Sequence, residues 1–237
     1  MAGDCTMSIF IEYSDHDQLM MGIAQVVAKQ LGDVVAQKGR ATLAVPGGTT
    51  PAPFLERLSL MDLQWDKISV LVTDERVQPS DPFRSNFKMV EHYLRQNASE
   101  KAQLLPLADL TQTADEALES AAQTYAPLLP LDVLVLGMGG DMHTASLFPD
   151  SPELDAALAP DAPSFMVMNS PSQPEKRITM TAPVLQNARY AHLLIAGADK
   201  LAAYRVAEAE GSVKDAPVRC ILHSDNTALV HYTGAKT

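Results

Sequence analysis

Residues 137–149 (GMGGDMHTASLFP) bring three glycines, the carboxylate of Asp141 and the imidazole of His143 into a few positions, directly after the apolar strand candidate 131–136. An imidazole gives or takes a proton near neutral pH. A buried strand that breaks into a glycine-rich loop is where an α/β protein builds a ligand site. On a helix, two residues that far apart diverge. In an irregular loop Asp141 and His143 can converge, with His143 as general base and Asp141 setting its tautomer or binding substrate. The plainer alternative is a tight turn whose histidine only caps something. As a dinucleotide fingerprint the pair Gly137 and Gly139 is weak, because the third glycine is missing and the loop comes late in the chain.

Three further groups have the right residue types for chemistry. The stretch Pro46, Gly47, Gly48, Thr49, Thr50, Pro51 joins a strand candidate to a helix candidate. Its glycines let backbone N–H groups approach a ligand, the helix start favours an anion, and the threonines add hydroxyl donors. Pro51 suits a first helical position and Thr50 the cap before it. This reads as a phosphate cradle, without the lysine of a Walker A loop; a well-capped turn is the bland reading. Thr73, Asp74, Glu75 and Arg76 stand at the end of a strand candidate, at the rim where sites form in parallel sheets, although a surface ion-pair cluster has the same composition. Ser85 and Asn86 can cap the next helix. Arg177 and Lys200 each suit phosphate, one as a fork and one as a point charge, against the usual solvated role of a basic side chain. His16, His92, His192, His223 and His231 lack ligand-like spacing and read as structural or exposed, so no metal site is expected. No G-x-S-x-G elbow is present, which argues against an acyl-enzyme.

These residues need a scaffold that brings them together. Strand-length apolar runs fall at 9–13, 41–45, 68–72, 104–107 (weak), 131–136, 165–168, 178–180, 192–195 and 228–232. Helical patterns fall between them, at 51–60, 86–94, 111–125 and 200–210, and first where Leu19, Ile23, Val26, Val27, Leu31 and Val34 approach a 3.6-residue period behind Asp15 or Asp17 as cap. The alternation predicts an α/β fold, Rossmann-like, with a mostly parallel sheet and helices on both faces. No repeat or low-complexity segment interrupts it. The proline-rich stretch 149–174 keeps its apolar residues, so 1–237 is expected to be a single domain with one irregular excursion.

Composition narrows the function classes. The chain has 237 residues, 46% of them hydrophobic, and a net charge of −11. An acidic surface repels nucleic acid. It also repels a small anionic substrate unless local cations dominate the pocket. Cys5 and Cys220 are too few and too far apart for a disulfide framework or a metal cluster. The start reads as no secretory signal, and no stretch was expected to reach the roughly 18 apolar residues of a membrane span. A cytoplasmic protein, with no membrane or nucleic-acid partner, is expected.

Taken together, the segments VPGGTTPAPFLERL (from Val45), TDERVQPSDPFRSNF (from Thr73), LVLGMGGDMHTASLFP (from Leu134), KRITMTAPVL (from Lys176) and AGADKLAA (from Ala196) resemble the 6-phosphogluconolactonase family in order and spacing, over nearly the whole chain. The histidine loop is the most specific of them. The GGTTP turn is shared with sugar-phosphate isomerases of the same superfamily, including glucosamine-6-phosphate deaminase. The resemblance implies a sugar-phosphate isomerase-like fold and a hydrolase that opens 6-phosphogluconolactone to 6-phosphogluconate, the second step of the oxidative pentose phosphate pathway, without a cofactor, as monomer or homodimer. Carried onto this chain it makes His143 the base. Gly47, Gly48, Thr49 and Thr50 become the sugar-phosphate loop, with Asp74, Arg76 and Asn86 as the second motif and Arg177 and Lys200 facing the phosphate end. Loop N–H groups near Gly139 and Gly140, or Arg76, are the expected oxyanion donors. One departure stands out: the family's loop usually reads Asp-Gly-His, and here Met142 lies between Asp141 and His143. If that position takes a positive φ, methionine is strained by roughly 1 kcal/mol or more. Two other readings remain open: a hexosamine-phosphate isomerase or deaminase with Asp74 as base and His143 aiding ring opening, and a non-catalytic sugar-phosphate sensor.

Overall fold

A computed structural model describes residues 8–235; the start of the chain, with Cys5, lies outside the described residues. The elements run β1 (Ile9–Tyr13), α1 (His16–Lys38), β2 (Ala41–Val45), α2 (Ala52–Ser59), β3 (Ile68–Val72), β4 (Asp74–Arg76), α3 (Asn86–Leu94), β5 (Gln103–Leu104), α4 (Ala114–Tyr125), β6 (Val133–Gly137), α5 (Leu154–Leu158), β7 (Phe165–Met168), β8 (Arg177–Met180), α6 (Ala182–Gln186), β9 (Tyr190–Ala196), α7 (Ala198–Glu208), α8 (Arg219–Leu222) and β10 (Ala228–Thr233).

Seven strands form a parallel sheet in the order β1-β10-β9-β6-β2-β3-β5, the α/β arrangement expected from the alternation. From β2 the chain steps outward through β3 to β5. It then returns to lay β6 on the other side of β2, and steps outward again through β9 and β10. The order therefore reverses between β2 and β6, and at such a reversal the loops leaving the two strands part and open a crevice at their carboxyl ends. All five residues of β2, and the first four of β6, are buried. That burial on both faces is why these two segments read as largely apolar runs, broken only by Thr42.

A second sheet, not expected from the sequence, is antiparallel: β4-β8-β7. The hinge between the sheets is Thr73, fully buried. Its N–H donates to Val45 O at 3.1 Å, and its carbonyl accepts from Met180 N at 2.9 Å. β4 consists only of Asp74, Glu75 and Arg76, so it has no apolar signature, and its pairing is set by β8, a hundred residues away in sequence.

α1 starts where Asp15 accepts a hydrogen bond from Gln18 N (2.8 Å) and ends at Gly39, whose φ of 76° only glycine adopts without strain. α1 has 23 residues, and by length and composition alone it could cross a membrane, its most apolar 18-residue window having mean hydropathy 1.3. Leu19, Ile23, Val27, Leu31 and Val34 are fully buried in the core, whereas Val26 is only partly buried. Four side chains also link α1 to the sheet interior. Tyr13 Oη lies 2.9 Å from His231 Nδ1, His231 Nε2 is 3.0 Å from His192 Nδ1, and His192 Nε2 is 2.7 Å from Gln30 Oε1. Burial lowers the His231 pKa to about 4; burial and the neighbouring His231 lower that of His192 to about 3. Both rings are therefore neutral structural parts near pH 7, as the sequence reading had them.

Candidate active site

The loops leaving β2 and β6 wall a cavity of about 370 Å³, closed on its other sides by the end of β9, the start of α7, and β4 with β8. Gly47, Gly48, Thr50, Asp74, Arg76, Asn86, His143, Arg177 and Lys200 all line it. Two expected residues do not. Thr49 is exposed and outside the wall, contributing only its carbonyl to Ala52 N (3.3 Å). Asp141 is exposed and reaches the wall only through its bond to His143.

The loop after β6 is irregular, and it brings its two ionisable groups together. His143 Nδ1 lies 2.5 Å from Asp141 Oδ1. An ionised carboxylate only accepts, so Nδ1 carries the proton and Nε2 is the basic nitrogen. The same bond holds the Asp141 carboxyl below the usual carboxylate range. The loop closes on itself, with Gly139 N donating to His143 O (2.9 Å) and Met142 N to Gly139 O (3.2 Å). A Cβ on Gly139 would sit 2.2 Å from both Asp141 Oδ1 and His143 Nδ1, so the pair lies directly on the glycine's bare face. Met142 takes φ +64° and Ala145 +49°, so the strain foreseen at Met142 is present. Val218 N donates to Met142 O at 3.1 Å, Thr144 Oγ1 ties the loop to Gly137 O at 2.9 Å, and Phe148 packs on the imidazole with ring centres 4.6 Å apart.

Of the expected oxyanion donors, the Gly139 N–H is engaged inside the loop, and Gly140 is not among the wall residues. Arg76 and Arg177 both line the cavity. The Nε atoms of Arg76 and Arg177 are buried without a partner among the described residues.

Those two arginines stand directly opposite each other in the β4–β8 register. Like charges placed so are destabilising unless something negative lies between. Arg177 reaches Asp74 Oδ2 at 3.5 Å, donates to Gln173 Oε1 at 3.2 Å, and lies 6.0 Å over the Phe148 ring. Arg76 donates to Asn86 Oδ1 at 3.0 Å and to the Arg84 carbonyl. Burial and repulsion from Arg177 both lower the Arg76 pKa. With Lys200, three cations face one cavity of a chain whose net charge is −11.

The turn after β2 is built by contact with α3. A Cβ on Gly47 would fall 1.9 Å from Asn86 Oδ1, and Gly48 has φ +97°. Ser85 caps α3 by accepting from Lys88 N, as expected, whereas Asn86 turns into the site and donates Nδ2 to Asp74 O (2.7 Å). Thr50 does not cap α2. That helix begins at Ala52 behind Pro51, which is itself helical (φ −80°, ψ −9°), with no side-chain cap.

Sequence reasoning missed Ser146 and Gln173, and named Glu75 without its role. Glu75 is fully buried and accepts from Ser85 Oγ, Asn86 N, Phe87 N and Arg76 N, at 2.8 to 3.0 Å. It satisfies the N–H groups that open α3, a position that favours a negative charge. Ser146 Oγ donates to Asp74 Oδ2 at 2.6 Å. That bond, with Thr73 Oγ1 on Oδ1 (3.1 Å) and Arg177 nearby, engages both oxygens of Asp74. Ser85 beside a helix start was a signal for Glu75; Ser146 had none.

Residues 14–230 match the family model described as glucosamine-6-phosphate isomerases/6-phosphogluconolactonase. A 6-phosphogluconolactonase of Pseudomonas putida is 38% identical over 213 residues, covering 90% of this chain and 88% of the relative. One of Mesorhizobium japonicum is 40% identical over 213 residues, covering 89% and 88%. The crystal structure of a 6-phosphogluconolactonase from Shewanella baltica superposes with a TM-score of 0.92 at 32% identity, covering 98% of this chain and all of that one.

Proposed function

The chain belongs to the glucosamine-6-phosphate isomerase and 6-phosphogluconolactonase family, and from that premise we infer that it hydrolyses 6-phosphogluconolactone to 6-phosphogluconate, the second step of the oxidative pentose phosphate pathway. The observation that carries the residue assignment is the 2.5 Å contact between Asp141 and His143 on the wall of a cation-lined cavity.

His143 Nε2 takes a proton from water, and the hydroxide attacks the lactone carbonyl. Asp141 holds the ring orientation and stabilises the imidazolium that forms. The imidazolium then protonates the ring oxygen as the tetrahedral intermediate collapses, which opens the ring and leaves the acid. Of the oxyanion donors expected, Arg76 lines the cavity, and its Nε is buried without a partner among the described residues. The turn at Gly47, Gly48 and Thr50, together with Asn86, Arg177 and Lys200, grips the remote phosphate. Its binding energy serves orientation at the carbonyl. The three cations overcome the repulsion that an acidic chain exerts on an anionic lactone.

An isomerase or deaminase would need Asp74 as a free base at a substrate carbon. With both oxygens engaged by Ser146, Thr73 and Arg177, Asp74 instead orients Arg177. His143→Ala tests the assignment. Hydrolysis should lose about 10³-fold in kcat, the middle of the range for general acid–base catalysis. Near-wild-type kcat, or ammonia release from glucosamine-6-phosphate by the unaltered protein, overturns it.

A further inference from the structure

Arg219 opens α8 and is buried, yet its guanidinium meets no acidic side chain among its hydrogen-bond partners. It reaches beneath the carboxyl end of α7. Nη2 donates to Val206 O (2.8 Å), Nε to Ala207 O (3.1 Å) and Ala209 O (3.2 Å), and Nη1 to Ser212 O (2.7 Å). A Cβ on Gly211 would lie 2.6 Å from Nη1, so the chain leaving α7 folds tightly over the fork. His223 Nε2 adds a contact with Glu208 O at 3.0 Å. The carbonyls that a helix leaves unsatisfied at its end, and the negative pole they form, thus meet a cation fixed on α8.

The residue before Arg219 faces the other way. Val218 N–H is bonded to Met142 O, the carbonyl of the strained residue next to His143. α8 is therefore anchored to the histidine loop through its backbone and to α7 through its side chains. α7 carries Lys200 on the cavity wall at its opposite end. A cavity that holds a phosphate at one end and attacks a carbonyl at the other works only if the two ends keep their separation, since an ångström of misplacement can cost about 10²-fold.

We propose that Arg219 is a positioning residue that holds α7, and with it Lys200, in register with the His143 loop. The proposal rests on the roles given to Lys200 and His143 above. Lysine at this position keeps the charge but cannot reach four carbonyls from one nitrogen.

The test is a double-mutant cycle of Arg219→Lys and Lys200→Ala, read as kcat and KM for 6-phosphogluconolactone, with thermal melting as the control for folding. In otherwise unaltered protein Arg219→Lys should lower kcat/KM about tenfold, mainly through KM. In the Lys200→Ala background it should cost less than about twofold, because the helix it aligns no longer holds the phosphate. Equal losses in both backgrounds, or a lower melting temperature with kcat and KM unchanged, overturn the proposal and leave Arg219 a support of the fold only. Should Lys200→Ala itself leave KM unchanged, the phosphate assignment falls first, and the inference with it. If Arg219→Lys does not fold, His223→Ala makes the same comparison with one contact removed, and equal losses in both backgrounds again overturn the idea.

Discussion

Two glycine-rich segments leave neighbouring strands of one sheet and wall the same cavity, yet they are built to opposite ends. The turn after β2 runs straight into α2, and its glycine is covered by a side chain from far along the chain, Asn86. It offers main-chain donors at a helix start, which suit an anion. The loop after β6 meets no helix. It closes on its own hydrogen bonds, and its glycine is covered by side chains only two and four residues on, Asp141 and His143. It offers one oriented imidazole. A strand followed by a helix displays backbone, and a strand followed by a self-bonded loop displays a side chain.

The contrast can be broken from either side. Gly139→Ala should hurt most, because the new methyl displaces the pair itself; kcat should fall by about 10²- to 10³-fold with KM little changed. A loss confined to KM would mean that the loop also binds the phosphate. Asp141→Asn should follow, at about 10²-fold in kcat, since an amide no longer fixes the Nδ1 tautomer; steady-state kinetics across pH would show whether orientation or charge is lost. Gly47→Ala pushes against Asn86 and should raise KM about tenfold while sparing kcat, the reverse of Gly139→Ala. The smallest effect belongs to Met142. Met142→Gly should be more stable than Met142→Ala by about 1 kcal/mol, because only glycine sheds the positive-φ strain, a difference that denaturant melts resolve.

The sheet that carries both segments was legible in the sequence because β2, β3 and β6 are buried apolar runs whose period and length survive without context. The histidine loop was legible for a related reason, since its chemistry lies within a few consecutive residues. In the small sheet β7 and β8 were legible as the apolar runs 165–168 and 178–180, whereas β4 was not. Asp74, Glu75 and Arg76 look like a surface cluster until Ser85, Asn86 and Phe87 supply donors to the buried Glu75. Thr49 and Thr50 were indistinguishable by type, and only the course of the turn decides that one faces the cavity and the other solvent. Ser146 meets Asp74 across 72 positions, a pairing that residue types and local spacing do not encode.

Thr73 hydrogen-bonds to both sheets, and the residues after it pass from one to the other. The imidazole belongs to the large sheet and the two guanidinium groups to the small one. A chain that has assembled the parallel sheet alone would have nearly all of its secondary structure and no complete site. Turnover is therefore a stricter gauge of the native state than helix content, and a local opening of β4 and β8 would silence the protein while leaving its core intact.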